Sequence, residues 1–170
     1  TAVDSAIAAA DSEIDQICGR TFVTPGAATT KTYVPYDNYT VYIDDVAQTS
    51  GLVVKEDTSL DGSYDNTLTI TTDFIVSGNN APYRILKRVD GDLWPRDRYG
   101  RPTVSVEAYH GYQMTVPSQI SQCALVIAAR LYQRKSSPLG FQTGGVDLGF
   151  VRISRNDPEV QSLLRGLKIM

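Results

Sequence analysis

The sequence predicts an α+β protein, and three observations lead to this fold class. Apolar residues recur at helical spacing in residues 1–19 and again in residues 118–135. Between these segments, from Lys31 to Met114, the apolar period changes to two, as it does in strands. Clusters of Asp, Asn and Gly divide this middle segment. We therefore expect an N-terminal helix, an inserted antiparallel β-sheet or small barrel, a buried central helix, and an extended C-terminal arm with a short helix.

The first element is an amphipathic helix over residues 1–19. Its apolar stripe consists of Val3, Ile7, Ala10, Ile14 and Ile17, and acidic residues occupy the other side. Thr1 and Asp4 have the spacing of a capping box, and Gly19 is suited to end the helix in a left-handed conformation. We expect this helix to pack on its own domain and to be followed by a linker of small residues over 20–30.

The middle segment, residues 31–114, alternates as strands do and is rich in Val, Ile, Thr and Tyr. The predicted strands are Thr32–Val34, Thr40–Ile43, Leu52–Lys55, Thr67–Thr71, Phe74–Val76, Arg84–Val89 and Thr103–Ala108. The predicted turns are Asp37-Asn38, Asp44-Asp45, Asp61-Gly62, Asn79-Asn80 and Asp90-Gly91. This order predicts a β-rich insertion between two helices.

The central helix is predicted over residues 118–135. Pro117 blocks helix continuation upstream, and Ser118 is a favourable N-cap. Apolar residues surround this helix on almost every side, so it needs cover on every side. One interpretation is a core helix beneath the sheet, and the other is a helix whose second face is covered by a neighbouring subunit.

The C-terminal arm, residues 136–170, is predicted to be a docking element outside an adaptor core of residues 1–135. Pro138 ends the central helix, glycines follow, and Asp157 and Pro158 start a short helix. A helix of about ten residues is unstable alone in water, so it must dock. We expect residues 139–170 to become ordered on assembly, or else the helix folds back on its own core. The predicted docking residues are Val151, Ile153, Val160, Leu163, Leu164 and Leu167.

Composition narrows the function classes. Sixteen basic and nineteen acidic residues give a net charge of −3, which argues against a dedicated DNA-binding surface. No apolar run is long enough to span a membrane. Cys18 and Cys123 each lie in an apolar helical stripe, so we interpret both as small buried hydrophobes, with a disulfide as the alternative.

No motif predicts a catalytic residue, a metal site or a cofactor. Asp57, Ser59 and Asp61 resemble part of a calcium loop, but Leu68 stands where such a loop needs a glutamate, which favours a solvated hairpin turn. His110 is the only histidine, so no histidine cluster can hold a metal, and we place it in the turn after a strand.

The segment from Trp94 to Arg101 interleaves aromatic and basic residues. This mixture can bind single-stranded nucleic acid, but it also describes an exposed loop that Trp94 anchors and whose arginines face acidic residues. We favour the loop and expect it to contact another subunit. Its residues of interest are Trp94, Arg96, Arg98, Tyr99 and Arg101.

The order of several short motifs resembles the tailed-phage head–tail connector (head-completion adaptor) family. These motifs are a strand ending in Gly111-Tyr112, Val116-Pro117 before the central helix, Ser137-Pro138-Leu139-Gly140 after it, and Asp157-Pro158-Glu159-Val160. The N-terminal helix, which ends in Cys18-Gly19-Arg20, also fits. The resemblance is firm over residues 3–22 and 103–165 and loose over 31–100.

The resemblance implies a virion structural protein without catalysis, assembled in the bacterial host cytoplasm. It implies a homo-oligomeric ring, with a dodecamer expected, that docks on the portal protein and a tail-side completion protein. Double-stranded DNA would pass through the channel without specific binding. The residues themselves leave a second class open: a monomeric β-rich module that binds a carbohydrate or a receptor, to which the many tyrosines are also suited.

Overall fold

A computed structural model of the chain describes residues 1–22, 26–136, 141–143, 150–152 and 158–168. At 134–136, 141–143, 150–152 and 159 it describes the backbone alone. The fold is α+β, as predicted. Its elements are α1 (Ala2–Cys18), β1 (Thr29–Tyr33), β2 (Thr40–Val46), β3 (Val53–Glu56), β4 (Asn66–Leu68), β5 (Phe74–Ser77), β6 (Tyr83–Arg88), β7 (Val104–Ala108), α2 (Ser118–Ser136), β8 (Phe141–Thr143), β9 (Phe150–Arg152) and α3 (Pro158–Leu164).

The chain divides into two compact units. The helical unit consists of Thr1–Thr21 and Val116–Met170, and the β unit consists of Phe22–Thr115. The β unit therefore contains the whole predicted insertion, 31–114. The C-terminal residues belong with the helices in this division, whereas the sequence analysis separated residues 136–170 as an arm.

The first helix, α1, begins and ends where the sequence predicts. The Thr1 hydroxyl accepts a hydrogen bond from the Asp4 backbone N–H, which forms the capping box together with the Asp4 carboxylate. Gly19 ends the helix in the left-handed conformation, at φ 68°. Ala10, Ile14 and Cys18 are buried, while Val3 and Ile7 on the same predicted stripe are exposed. The stripe is therefore covered only in its C-terminal half.

The second helix, α2, packs against α1 along one face. Its buried residues are Ile120, Cys123, Ile127 and Ala128. The Arg130 guanidinium also meets the Glu13 carboxylate of α1, at 3.2 Å. The predicted N-cap was one residue late, because the N–H of Ser121 donates to the Pro117 carbonyl and Ser118 is already inside the helix. Proline suits this N-cap position, because the N-cap contributes its carbonyl oxygen to the first helical hydrogen bond and the N–H that proline lacks is not needed there.

The two cysteines face the packed side of these helices. Cys18 and Cys123 are both buried, and neither forms a disulfide. Burial raises the pKa of the Cys18 thiol, which keeps it in the unreactive protonated form. The prediction that both residues act as small buried hydrophobes is therefore confirmed.

Three further elements complete the described part of the helical unit. β8 pairs antiparallel with β9, with Phe141 opposite Arg152. α3 begins at Pro158, as predicted, and packs against α2. Val160 and Leu164 of α3 are buried in this way. The predicted docking residue Ile153 and the predicted cap Asp157 lie outside the described residues.

The β unit contains two antiparallel sheets, whereas the sequence analysis expected one sheet or a small barrel. The first sheet has the order β1-β7-β3-β4 and the second the order β2-β6-β5. The two sheets share one core, formed by Val41, Ile43, Val46, Val54, Leu68, Phe74, Leu86, Trp94, Val104, Val106 and Ala108. The unit is therefore a small sandwich, whose inner faces supply the alternating apolar residues.

One predicted turn was wrong. Asp44 and Asp45 lie inside β2, not between strands. Lys31 of β1 donates to the Asp44 carboxylate at 2.7 Å, and Arg84 of β6 lies 3.3 Å from the Asp45 carboxylate. Lys31, which comes from the other sheet, and Arg84, which comes from the neighbouring strand, neutralise both acids, so the strand continues through residues whose local preference is a turn.

None of the described helices is both long and apolar enough to cross a bilayer.

Candidate functional site

The loop from Trp94 to Arg101 is fastened to the β unit at both ends. Trp94 is buried, its backbone N–H donates to the Asn38 carbonyl at 2.9 Å, and the Arg88 guanidinium stacks 5.2 Å from its ring centroid. At the other end, Arg101 donates to the Asp97 carboxylate at 3.1 Å and to the Leu60 carbonyl at 2.8 Å. Trp94 therefore anchors the loop, and Arg101 holds it closed.

Four of the five loop residues singled out from the sequence face solvent, and Trp94 is the buried one. Arg96, Arg98 and Tyr99 are exposed, and the Arg98 guanidinium lies 5.5 Å from the centroid of the Tyr99 ring. Trp94 is buried, and the exposed Arg101 is already paired with Asp97, so Arg96, Arg98 and Tyr99 are the loop residues most available to a partner. The structure brings two cations and one aromatic ring together there, which is a small contact surface.

A cavity of about 180 Å³ lies beneath this loop. Its walls include the carboxylates of Asp57 and Asp97, with Arg101 and Thr103 beside them. The Asp57 carboxylate accepts hydrogen bonds from the backbone N–H groups of Gly62, at 2.8 Å, and Asp61, at 3.3 Å. The hydrogen bond from Arg101 lowers the pKa of Asp97. The carboxylates of Asp57 and Asp97 therefore both accept hydrogen bonds from groups of the protein itself.

The calcium-like segment is a hairpin connection, as the sequence analysis favoured. β3 and β4, which flank it, pair antiparallel, with Glu56 opposite Asn66. The Asp57 carboxylate closes the turn by accepting hydrogen bonds from the backbone N–H groups of Asp61 and Gly62. Among the residues described here, no group of three or more His, Cys, Asp or Glu side chains is arranged to hold a metal ion.

A polar cluster joins β1 and β2 near the end of β7. The hydrogen bond from Lys31 lowers the pKa of Asp44, and burial raises the pKa of Tyr33 to about 12. His110 lies beside them, two residues beyond β7, where it forms an isolated bridge with Val46. Both of its ring nitrogens are shielded from solvent. Burial, and after it the charge of Lys31, lowers the pKa of His110, so the imidazole is neutral at pH 7.

The solvent side of the second sheet is unusually apolar. Tyr42 of β2 stands opposite Ile85 of β6, and Ile75 of β5 stands opposite Lys87. Tyr42 and Ile75 are exposed, and the exposed Tyr36 packs edge-on against Tyr42 with 5.1 Å between ring centroids. A solvated sheet face normally carries polar residues, so this tyrosine face is a candidate binding surface.

The outer face of α2, which we define as Ser118, Ser121, Gln122, Leu125, Ala129 and Tyr132, carries exposed apolar side chains beside polar ones. Leu125 is 69% exposed and Tyr132 is 51% exposed. No charged residue lies between Ser118 and Ala129. The sequence predicted that a second face of this helix needs cover, and in this subunit that face is open to solvent.

The N-terminal half of α1 presents a second uncovered surface, the amino-terminal stripe of Val3 and Ile7. Val3 is 50% exposed and Ile7 is 42% exposed, although they share the helix face of the buried Ala10 and Ile14. The sequence placed both residues in the packed stripe. The sequence could not indicate that only the C-terminal half of α1 is covered by other residues of the subunit.

The predicted docking face is divided, and α3 is shorter than predicted, since it ends at Leu164 and Leu167 lies in the turn that follows. Val160 and Leu164 are buried inside the subunit, and Leu163 and Leu167 are half-buried. Val151 lies in β9, where only the backbone is described. Of the predicted docking residues whose side chains are described, Leu163 and Leu167 remain accessible to a partner.

A buried ion pair was missed by the sequence analysis. Arg88 of β6 meets Glu56 of β3 across the core, and both side chains are buried. A signal for it existed: strand alternation places Arg88 on the same face as the buried Leu86, and a charge on an inward face needs a partner.

Comparison with known proteins gave no assignment: the chain matches no family model, and a search of curated protein sequences found no significant match.

Proposed function

We propose that this protein is a virion structural protein of a tailed phage: a ring-forming head-to-tail adaptor that docks on the portal and links the DNA-filled head to tail-side proteins. It performs no catalysis. The observation that carries the proposal is the outer face of α2, where Leu125 and Tyr132 are exposed on a helix already buried along its other side. A helix with two apolar faces needs two covering surfaces, and a neighbouring subunit supplies the second one.

The remaining surfaces fit the same role. Leu163 of α3 and Leu167 in the turn that follows it offer an apolar contact for the portal or an adjacent subunit. Arg96, Arg98 and Tyr99 offer a polar contact at the rim of a subunit interface. The net charge of −3 per subunit is multiplied in a ring, so a channel through it repels DNA phosphates instead of gripping them.

The native mass of the purified protein tests this proposal. We expect a closed homo-oligomer, measured by native mass spectrometry or sedimentation over a range of concentrations, and a larger complex of defined stoichiometry when the phage portal protein is added. A protein that stays monomeric at every concentration and ignores the portal would contradict the adaptor role.

The tyrosine face supports a second candidate function, a monomeric β-rich module that binds a carbohydrate or a receptor. The exposed rings of Tyr36 and Tyr42 can stack on the apolar face of a sugar ring. Screening the monomer against a glycan array distinguishes the two functions. Saturable binding that Tyr42→Ala abolishes, together with a monomeric mass, favours the module over the adaptor.

A further inference from the structure

The helical unit carries two uncovered apolar surfaces of different chemistry, the outer face of α2 and the amino-terminal stripe of α1. We propose that the amino-terminal stripe of one copy covers the outer face of α2 in a second copy. The inference rests on the proposed function, because it specifies which surfaces of the ring subunits meet.

Shape favours this pairing. Leu125 and Tyr132 are seven residues apart, so they project about 10 Å apart along the helix, with the small Ala129 between them. Val3 and Ile7 are four residues apart, at a spacing of about 6 Å along α1. A pair of branched side chains at that spacing can enter the depression over Ala129, with the two large side chains of α2 on either side.

Charge favours the same pairing. α1 carries four acidic residues, Asp4, Asp11, Glu13 and Asp15, and no basic residue. α2 carries three basic residues, Arg130, Arg134 and Lys135, and no acidic residue. Within one subunit, Glu13 and Arg130 already form an ion pair at 3.2 Å. Packing α1 on α2 of a second copy brings opposite charges together, whereas pairing α1 with α1, or α2 with α2, brings like charges together.

The contact also has the symmetry that a ring requires. The two surfaces are different, so each copy offers one surface to each of two neighbours. Such a heterologous contact propagates from subunit to subunit and closes when the rotation between neighbours divides a full turn. A contact of the outer face of α2 with itself would stop at a dimer instead.

A charge-exchange experiment tests the contact. Ile7→Asp places an acid in the amino-terminal stripe, and Leu125→Lys places a base on the outer face of α2. Each variant alone buries one uncompensated charge, so we expect its subunit dissociation constant to rise about tenfold or more in sedimentation equilibrium. In an equimolar mixture of the two variants, subunits alternate. The introduced acid then meets the introduced base at one junction, and the unchanged Ile7 and Leu125 meet at the next. We therefore expect the mixture to assemble as the wild type does.

Leu93→Lys is the matched control. Leu93 is 49% exposed, but it lies in the β unit. The Leu93→Lys variant should therefore form an oligomer of the same mass as the wild type. Circular dichroism and the melting temperature report whether each variant is folded. If Ile7→Asp is not folded, Val3→Asp replaces it, because an acid in the first turn of a helix is favoured by the helix dipole.

The outcomes separate the inference from the proposed function. A wild-type protein that associates neither with itself nor on the portal overturns both. A wild-type oligomer with single variants that assemble equally well overturns the inference alone, and so does a mixture of impaired variants that fails to reassemble. Loss of assembly in Leu93→Lys would show that any added charge disperses the oligomer, which also removes the support for this contact.

Discussion

The Arg88 guanidinium donates a hydrogen bond to the Glu56 carboxylate at 2.6 Å, and each side chain is only 4% exposed. Arg88 belongs to β6 and Glu56 to β3, so this ion pair connects the two sheets through the core of the β unit. The second carboxylate oxygen of Glu56 accepts a hydrogen bond from the Asn66 amide at 2.7 Å. Burial alone would lower the pKa of Arg88, but hydrogen bonds to Asp90 and Glu56 outweigh it and raise the pKa.

Removing one partner of this pair should destabilise the fold strongly. Glu56→Gln removes the buried carboxylate opposite Arg88 and leaves Asp90 as the remaining charged partner, so we expect a loss of about 1–3 kcal/mol in the free energy of unfolding. Urea denaturation measures the change. The control is Glu107→Gln on β7, an exposed site where we expect a change within about 0.5 kcal/mol. A loss below about 1 kcal/mol for Glu56→Gln would show that the pair contributes little.

His110 should make stability depend on pH in a defined window. Its pKa is lowered below the ordinary 6.5 in the folded protein, so at mildly acidic pH the unfolded chain binds a proton that the folded chain does not. Stability is therefore highest above pH 6.5 and falls as the pH drops toward the lowered pKa. Because His110 is the only histidine, His110→Gln should flatten this slope.

Thermal melts between pH 7.5 and about 4.5 measure this effect, since the carboxyl groups with lowered pKa values, such as Asp44 and Asp97, titrate only below their ordinary 3.8. An identical slope in His110→Gln and in the wild type would assign the pH dependence to other groups.

Substitutions at Leu163 and Leu164 should distinguish a role of α3 in folding from a role in docking. Leu164 is fully buried, so Leu164→Ala should reduce the free energy of unfolding by about 2–5 kcal/mol. Leu163 is only half-buried, and Leu163→Ser should cost about 1 kcal/mol or less while weakening binding to the portal or an adjacent subunit. Denaturation and portal pull-down test the two variants side by side. If Leu163→Ser binds the portal as the wild type does, α3 is not the docking element.

The purified protein should bind duplex DNA weakly. With a net charge of −3, we expect low affinity of the purified protein for duplex DNA and a shallow dependence on salt concentration, measured by fluorescence anisotropy. Tight binding with a steep salt slope would indicate a nucleic-acid site at Arg96, Arg98 and Arg101. In that case, replacing the exposed Arg96 and Arg98 with Ser should reduce the slope by about two.

The sequence determined the elements whose signals are local. The capping box of Thr1 and Asp4, the left-handed Gly19 and Pro158 at the start of α3 all lie where the sequence predicts, because each depends on neighbours within one helical turn. Strand alternation likewise located the seven strands of the β unit to within a few residues. It also indicated that α2 has more apolar surface than one partner can cover.

Only the tertiary structure decided the features that depend on distant residues. It divided the strands into two sheets, since β1 pairs with β7 and β2 with β6, pairings that no local pattern encodes. It kept Asp44 and Asp45 in a strand, because Lys31 of the other sheet and Arg84 of the neighbouring strand form ion pairs with them. It also covered Ile14 and left Ile7 open on one helix stripe. Local propensity is worth about 1 kcal/mol per residue or less, and burial and ion pairing between distant segments outweigh it.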